Sequence, residues 1–217
     1  MDRQKNKYYY LKGIKNGMPI CLGYLAVSFT LGITARNAGM TAWQAMLTSL
    51  ACNASAGQYA GFTVIAAGGT YFEMVLMELV ANARYLLMSC SLSQKFSSET
   101  GLLHRLLVGF DVTDEIFGVA VSEPGKLNPF YNYGMMTVAI PGWSLGTFFG
   151  VIMGNILPAN IVSALSVGLY GMFLAIIIPP ARKNKVIAAL VTISMVSSYI
   201  FSRLPGISDI SSGIRTI

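Results

Sequence analysis

The chain has 217 residues, of which 54% are hydrophobic and only 11% charged, with a mean hydropathy of +0.59. That balance cannot solvate the outside of a soluble domain, so it points to an all-α integral membrane protein built as a polytopic helical bundle. The net charge of +6 does not imply nucleic acid: Arg3, Lys5, Lys7, Lys12 and Lys15 precede the first apolar run and Arg182, Lys183 and Lys185 form a second cluster, as on cytoplasmic flanks.

One crossing takes roughly 20 apolar residues, so the charge-poor stretches suffice for about six or seven transmembrane helices in one domain spanning 1–217, with 1–15 as a basic cytoplasmic segment. Cys21, Cys52 and Cys90 lie far apart in apolar sequence and match neither a zinc spacing nor a disulfide framework. The run after Lys15 is long enough to span and lacks a clear cleavage site, which argues against a removable signal peptide.

Met18 to Thr34 reads as the first spanning helix, with Pro19 near its start, where a missing N–H costs little. From Asn37 to Phe72 nothing is charged, yet the stretch is too long for one ordinary helix and is interrupted by Gly57, Gly61, Gly68 and Gly69. It is expected to be a broken or re-entrant helix whose polar segment, Cys52 to Tyr59, needs protein or a water-filled cavity around it. Tyr71 to Leu92 is the third run and carries Glu73, Glu78, Asn82 and Arg84; His104 to Val121 is the fourth, with Asp111, Asp114 and Glu115 near its middle. The uncharged stretch from Leu127 to Ala181 is divided by prolines into helices near Tyr133 to Ile156 and Ile161 to Ile178, and Val186 to Phe201 is a short last span. Counting the broken stretch as one crossing returns both basic clusters to the cytoplasm; treating it as re-entrant changes that parity. Leu31-Gly32-Ile33 and Phe149-Gly150-Val151 hint at an internal repeat.

Gly142, Gly146, Gly150 and Gly154 fall four apart and form a smooth strip for close helix packing. Ionisable groups at bilayer depth are costly, so those in the third and fourth runs need partners or a wet site. Glu78 and Asn82 share a helix face with Arg84 just beyond. Asp111 and Glu115 are four apart, with Asp114 beside them and His104 seven residues earlier on nearly the same face, giving an acidic stripe flanked by one imidazole; His104 is expected at the membrane interface, with a proton carrier as the alternative. Arg84 could contact a substrate carboxylate while one carboxylate of the Asp111, Asp114 and Glu115 group contacts an ammonium or carries a coupling proton; alternatively Arg84 pairs with Glu78 or Asp111 to hold helices in register, or the acidic run is a loop; Glu73 suits a position near a membrane surface. A single histidine excludes a His-based metal site within the chain. Neither a nucleophile elbow nor a phosphate-binding glycine loop is present, so an enzyme, and direct use of ATP, are disfavoured and no cofactor is expected.

Several segments together resemble the AzlC-type family of branched-chain amino acid exporters: Gly17-Met18-Pro19-Ile20 with Leu22-Gly23-Tyr24, then Ala54-Ser55-Ala56-Gly57-Gln58-Tyr59-Ala60, then Ala81-Asn82-Ala83-Arg84-Tyr85-Leu86-Leu87-Met88-Ser89, and Thr113-Asp114-Glu115 with Phe117. The resemblance implies export of valine-like amino acids across the inner membrane, with a small hydrophobic AzlD-type partner subunit. Asn53 stands where the family more usually has an apolar or small residue, and the chain stops at Ile217 where members commonly continue.

The expected substrate site lies where the break near Asn53 meets the Glu78 to Arg84 helix. Backbone amides and Arg84 suit a carboxylate, while Asn53, Ser55, Gln58, Tyr59 and Asn82 would contact the zwitterion and methionines a branched side chain. Asp111, Asp114, Glu115 and Glu78 are the candidates for proton or ion coupling. The rival expectation is a non-transporting membrane scaffold that uses the glycine strip as its interface.

Overall fold

The computed structural model describes residues 3–154, 156, 160, 161, 174, 178, 179, 181, 182 and 184–203. The chain divides into two compact units, Met1–Tyr170 and Gly171–Ile217. The first holds α1 (Arg3–Asn37), α2 (Ala42–Ala51), α3 (Ser55–Ala66), α4 (Tyr71–Ala81), α5 (Ala83–Lys95), α6 (Leu102–Phe110), α7 (Asp114–Ser122) and α8 (Pro129–Met153); the second holds α9 (Lys185–Arg203). The helix expected over Ile161 to Ile178 falls mostly outside the described residues.

The first helix is twice as long as the apolar run that announces it, beginning at Arg3 rather than Met18, so Pro19 sits inside it. A proline there forfeits one backbone hydrogen bond. Packing on α8 supports the basic turns that precede it: Gly13 lies against the Tyr131 carbonyl, and Asn16 Nδ2 donates to the Tyr131 hydroxyl at 2.7 Å.

The helices α1 and α8 run parallel along their lengths, since Gly13 meets Gly134, Gly17 meets Met135, Cys21 meets Gly142, Leu25 and Ser28 meet Gly146, and Gly32 meets Gly150. A Cβ on Gly150 would stand 2.1 Å from the Phe29 carbonyl oxygen and one on Gly32 2.2 Å from that of Thr147. Glycine is required because the backbones themselves touch, the arrangement that gives helices dispersion contact where lipid supplies no hydrophobic drive. The strip at Gly142, Gly146, Gly150 and Gly154 therefore faces α1. Asn128 caps α8 by accepting from Phe130 N at 3.0 Å, and Pro129 occupies the first turn, where its missing N–H costs nothing. Arg36 closes the far end, Nη1 donating to the Val151 carbonyl at 2.9 Å.

Against this pair the remaining helices are ordered by depth. After a turn at Gly39, whose φ is +79°, α2 starts at the Arg36 end under a capping box made by Thr41 and Gln44. It runs inward, with Ser49 Oγ 2.7 Å from Thr147 Oγ1, and stops at Cys52-Asn53-Ala54. Next, α3 pairs antiparallel with α4: Gly57 lies against Asn82 and Glu78, Gly61 near Glu78, and Gly69 against Glu73. At the other end, α5 finishes beside Lys12. Lys95 Nζ donates to the Val121 carbonyl at 2.6 Å and Lys12 pairs with Glu123 at 2.5 Å. Because α4 and α5 form one path bent by 44° at Asn82, α4 begins at the Arg36 end and α3 has returned there. Of the two readings of the stretch from Asn37 to Phe72, one broken crossing or a re-entrant segment, the structure shows the second, a hairpin that enters and leaves at the same end. Gly57 and Gly61 do not break it; they lie inside α3 to admit the side chains of α4.

The fourth run also folds back. α6 starts at the Lys12 end, where His104 Nδ1 is 2.8 Å from the Tyr133 hydroxyl, and halts at Asp111-Val112-Thr113. From Asp114, α7 returns to Glu123. Thr113 ends the break as N-cap, accepting from Ile116 N at 3.4 Å. By length and apolar composition α1 and α8 can each cross a membrane, and α4 with α5 is a third, bent candidate.

Candidate functional site

Three interruptions of regular helix meet at the level of Tyr24: Cys52 to Ala54, Asn82, and Asp111 to Thr113. Side chains tie them together. Asn53 Nδ2 donates to Asp111 Oδ1 across the two hairpin tips. Asn82 Nδ2 donates to Glu78 Oε2 at 2.7 Å, and both flank Gly57, one turn beyond Asn53. Arg84 Nη2 lies 2.9 Å from Asp114 Oδ2. From α1, the Tyr24 hydroxyl donates to Glu115 Oε2 at 2.7 Å and lies 2.5 Å from Thr113 Oγ1; its ring packs edge-on against Trp143.

The sequence-derived candidates divide accordingly. Asn53, Asn82, Glu78, Asp111, Asp114, Glu115 and Arg84 converge on the three breaks. Gln58 is buried beside them, but within a chain of hydrogen bonds: Trp143 Nε1 donates to Gln58 Oε1 at 2.7 Å, Gln58 Nε2 donates to Ser49 Oγ, and Ser49 meets Thr147. That chain clamps the first hairpin onto α8. Ser55 opens α3, at the same break. Tyr59, in α3, is 55% exposed. The acidic stripe on one continuous helix is replaced by a tip: helix stops between Asp111 and Asp114, and His104 sits near the Lys12 end with Tyr133 and Phe130. Arg84 pairs with Asp114, neither of the two partners expected for it. Glu73 accepts from Thr70 N at 2.7 Å and so caps α4 at the Arg36 end.

Sequence reasoning missed Tyr24, Thr113, Ser49, Thr147 and Trp143. Tyr24 and Thr113 lay within the quoted motifs but were assigned no role, and nothing in linear spacing brings Trp143 to Gln58. The chemistry available is mixed: carboxyl oxygens, amide groups and one part-exposed guanidinium around helix ends. The first turn of α3 adds backbone N–H groups, since its N-cap Ala54 has no side chain to cap them.

A family model described as AzlC protein matches residues 19–157. An uncharacterized membrane protein of Archaeoglobus fulgidus is 30% identical over 182 residues, 83% of this chain and 80% of its own length. The inner membrane protein YgaZ of Escherichia coli is 26% identical over 150 residues, 67% of this chain and 61% of its own length. An uncharacterized membrane protein of Helicobacter pylori is 25% identical over 153 residues, covering 67% of this chain and 66% of the relative. No solved structure matches. With the matched region taking in α8 and all three breaks, the chain belongs to the AzlC family of membrane proteins.

Proposed function

We propose that the chain is a secondary transporter that exports branched-chain amino acids across the inner membrane, driven by an ion gradient and assisted by a small AzlD-type membrane subunit. In this reading the N-terminus is cytoplasmic, α2–α3 is a re-entrant hairpin from the outer side and α6–α7 one from the inner side. The observation that carries the reading is the meeting of those two tips, Asn53 with Asp111, at the depth where α4–α5 breaks at Asn82. Non-helical backbone within a bilayer is tolerated where it is buried in protein or lines a cavity, and broken helices that face one another at mid-depth are how transporters present helix ends to polar solutes.

The substrate carboxylate is assigned to the uncapped first turn of α3 and to Arg84, with an aliphatic side chain lying among apolar groups. A hairpin tip that leaves Asp111 opens the path to one side, and the opposite tip opens it to the other. Asp114, Glu115, Glu78 and Asp111 are the groups that can exchange a proton between those states. The bare apolar flanks of α4, α5 and α6, including Leu79, Leu86, Leu87 and Leu102, suit lipid and a small hydrophobic subunit. A scaffold role had rested on the glycine strip as an interface, and that strip is occupied by α1.

The test is flux of labelled valine from preloaded vesicles containing the purified chain, with and without candidate small subunits. Arg84→Ala is expected to abolish efflux while inserting normally. Full efflux from an inserted Arg84→Ala variant would remove Arg84 from the site, and no flux with any partner would refute the transporter.

A further inference from the structure

The three breaks have a second property in common. Asn53 and Asn82 each give their amide nitrogen to a carboxylate, Asp111 and Glu78 respectively. With both carboxylates ionised, each only accepts hydrogen bonds, so each amide presents its nitrogen and the carbonyl oxygen is what it has left over. Asn53 Oδ1, Asn82 Oδ1 and Asp111 Oδ2 are all buried without a hydrogen-bond partner among the described residues. Asp111 itself is only 1% exposed. An orphaned buried acceptor forfeits its hydration with nothing in return. Here three of them, one from each break, are all of one sign.

We infer that these oxygens receive the ammonium group of the transported solute, with Asp111 as the charged member and the two asparagines as neutral ones. A primary ammonium offers three N–H donors and no acceptor, which complements an acceptor-only set. A bound divalent metal ion would ask for about six or more oxygens, twice what the breaks leave free. The inference rests on the proposed function and alters its division of labour. Asn53 and Asn82 hold the amino end of the substrate, and the carboxylate is left to the α3 amides and Arg84. Selection then falls on the amino group: a hydroxy acid of the same shape brings at most one donor and no positive charge.

The experiment measures ligand-induced thermal stabilisation of the detergent-purified full chain. Valine is compared with 2-hydroxyisovalerate, which lacks the amino group, with N-acetylvaline, which blocks it, and with isobutylamine, which lacks the carboxylate. Half-maximal stabilisation by valine is expected at least about tenfold below that for the hydroxy and acetyl analogues, in line with the strength of charge-assisted hydrogen bonds. Isobutylamine is expected to stabilise. Asp111→Asn is expected to remove the preference for valine over 2-hydroxyisovalerate, and Asn82→Ala, which leaves the hairpin tips untouched, to reduce it.

Equal stabilisation by valine and 2-hydroxyisovalerate would overturn the inference and leave amino acid export standing. Stabilisation by isobutylamine but not valine would do the reverse. Stabilisation by sodium chloride alone, lost in Asp111→Asn, would assign the oxygens to an inorganic cation and overturn it too.

Discussion

Replacing Gly150 by alanine isolates the contact on which the α1·α8 pair depends. The added Cβ would stand 2.1 Å from the Phe29 carbonyl oxygen and 2.9 Å from Gly32 Cα. Both neighbours are backbone, so no side-chain rotation relieves the clash. Ordinary contact begins at 3.4 Å, and the helices must part by about 1 Å, a gap that forfeits roughly a quarter to a half of each dispersion contact it opens. Overpacking of this kind costs about 1–3 kcal/mol, equivalent to a fall of several degrees in melting temperature for a chain of this size. The assay is thermal unfolding of the detergent-purified protein, with Gly109→Ala as control: Gly109 lies within α6 and nothing stands within 4 Å of its Cβ position. The control is expected to melt at or slightly above the parent temperature, because alanine is the better helix former. A Gly150→Ala variant as stable as its parent would refute the close parallel packing of the two helices.

Trp143→Phe keeps the ring against Tyr24 but removes the Nε1–H that Gln58 Oε1 accepts. A stability loss of about 1–3 kcal/mol is expected from the orphaned amide oxygen, read as a lower melting temperature; an unchanged value would dissolve the clamp between hairpin and α8. Asp114→Asn should separate function from stability. With the pair lining the aqueous path of the proposed transporter, Arg84 48% and Asp114 29% exposed, water screening holds its contribution to at most about 1 kcal/mol, so valine efflux is expected to fall steeply while the melting temperature barely moves, and a large loss of stability would make the pair structural.

Composition alone established an apolar helical chain, and charge spacing picked out Glu78, Asn82, Arg84 and the Asp111 to Glu115 group, because ionisable residues in lipid are rare enough to be informative wherever they fall. The glycine strip was equally legible from a spacing of four, although which helix it received was not. Direction of travel stayed hidden: a hairpin that turns back at Asn53 and a helix that carries on leave the same hydropathy trace, and only the pairing of Gly57 with Asn82 and Gly61 with Glu78 distinguishes them. Helix extent was misjudged at Arg3 to Gly17, whose helical form depends on contacts with α8 and not on local apolarity. His104 was joined to the acidic group because a period of 3.6 assumes an unbroken helix, which Asp111 to Thr113 interrupts.

The central claim is that α2–α3 and α6–α7 are hairpins reaching the same depth from opposite ends. It is tested most directly by single cysteines in a variant lacking Cys21, Cys52 and Cys90, labelled with a membrane-impermeant thiol reagent in sealed vesicles of known orientation. Cysteines at Gly39 and Gly68, before and after the first hairpin, are predicted to label from one side, and cysteines at Ser98 and Glu123, around the second, from the other. Labelling of Gly39 and Gly68 from opposite sides would make α2–α3 a crossing and contradict the account.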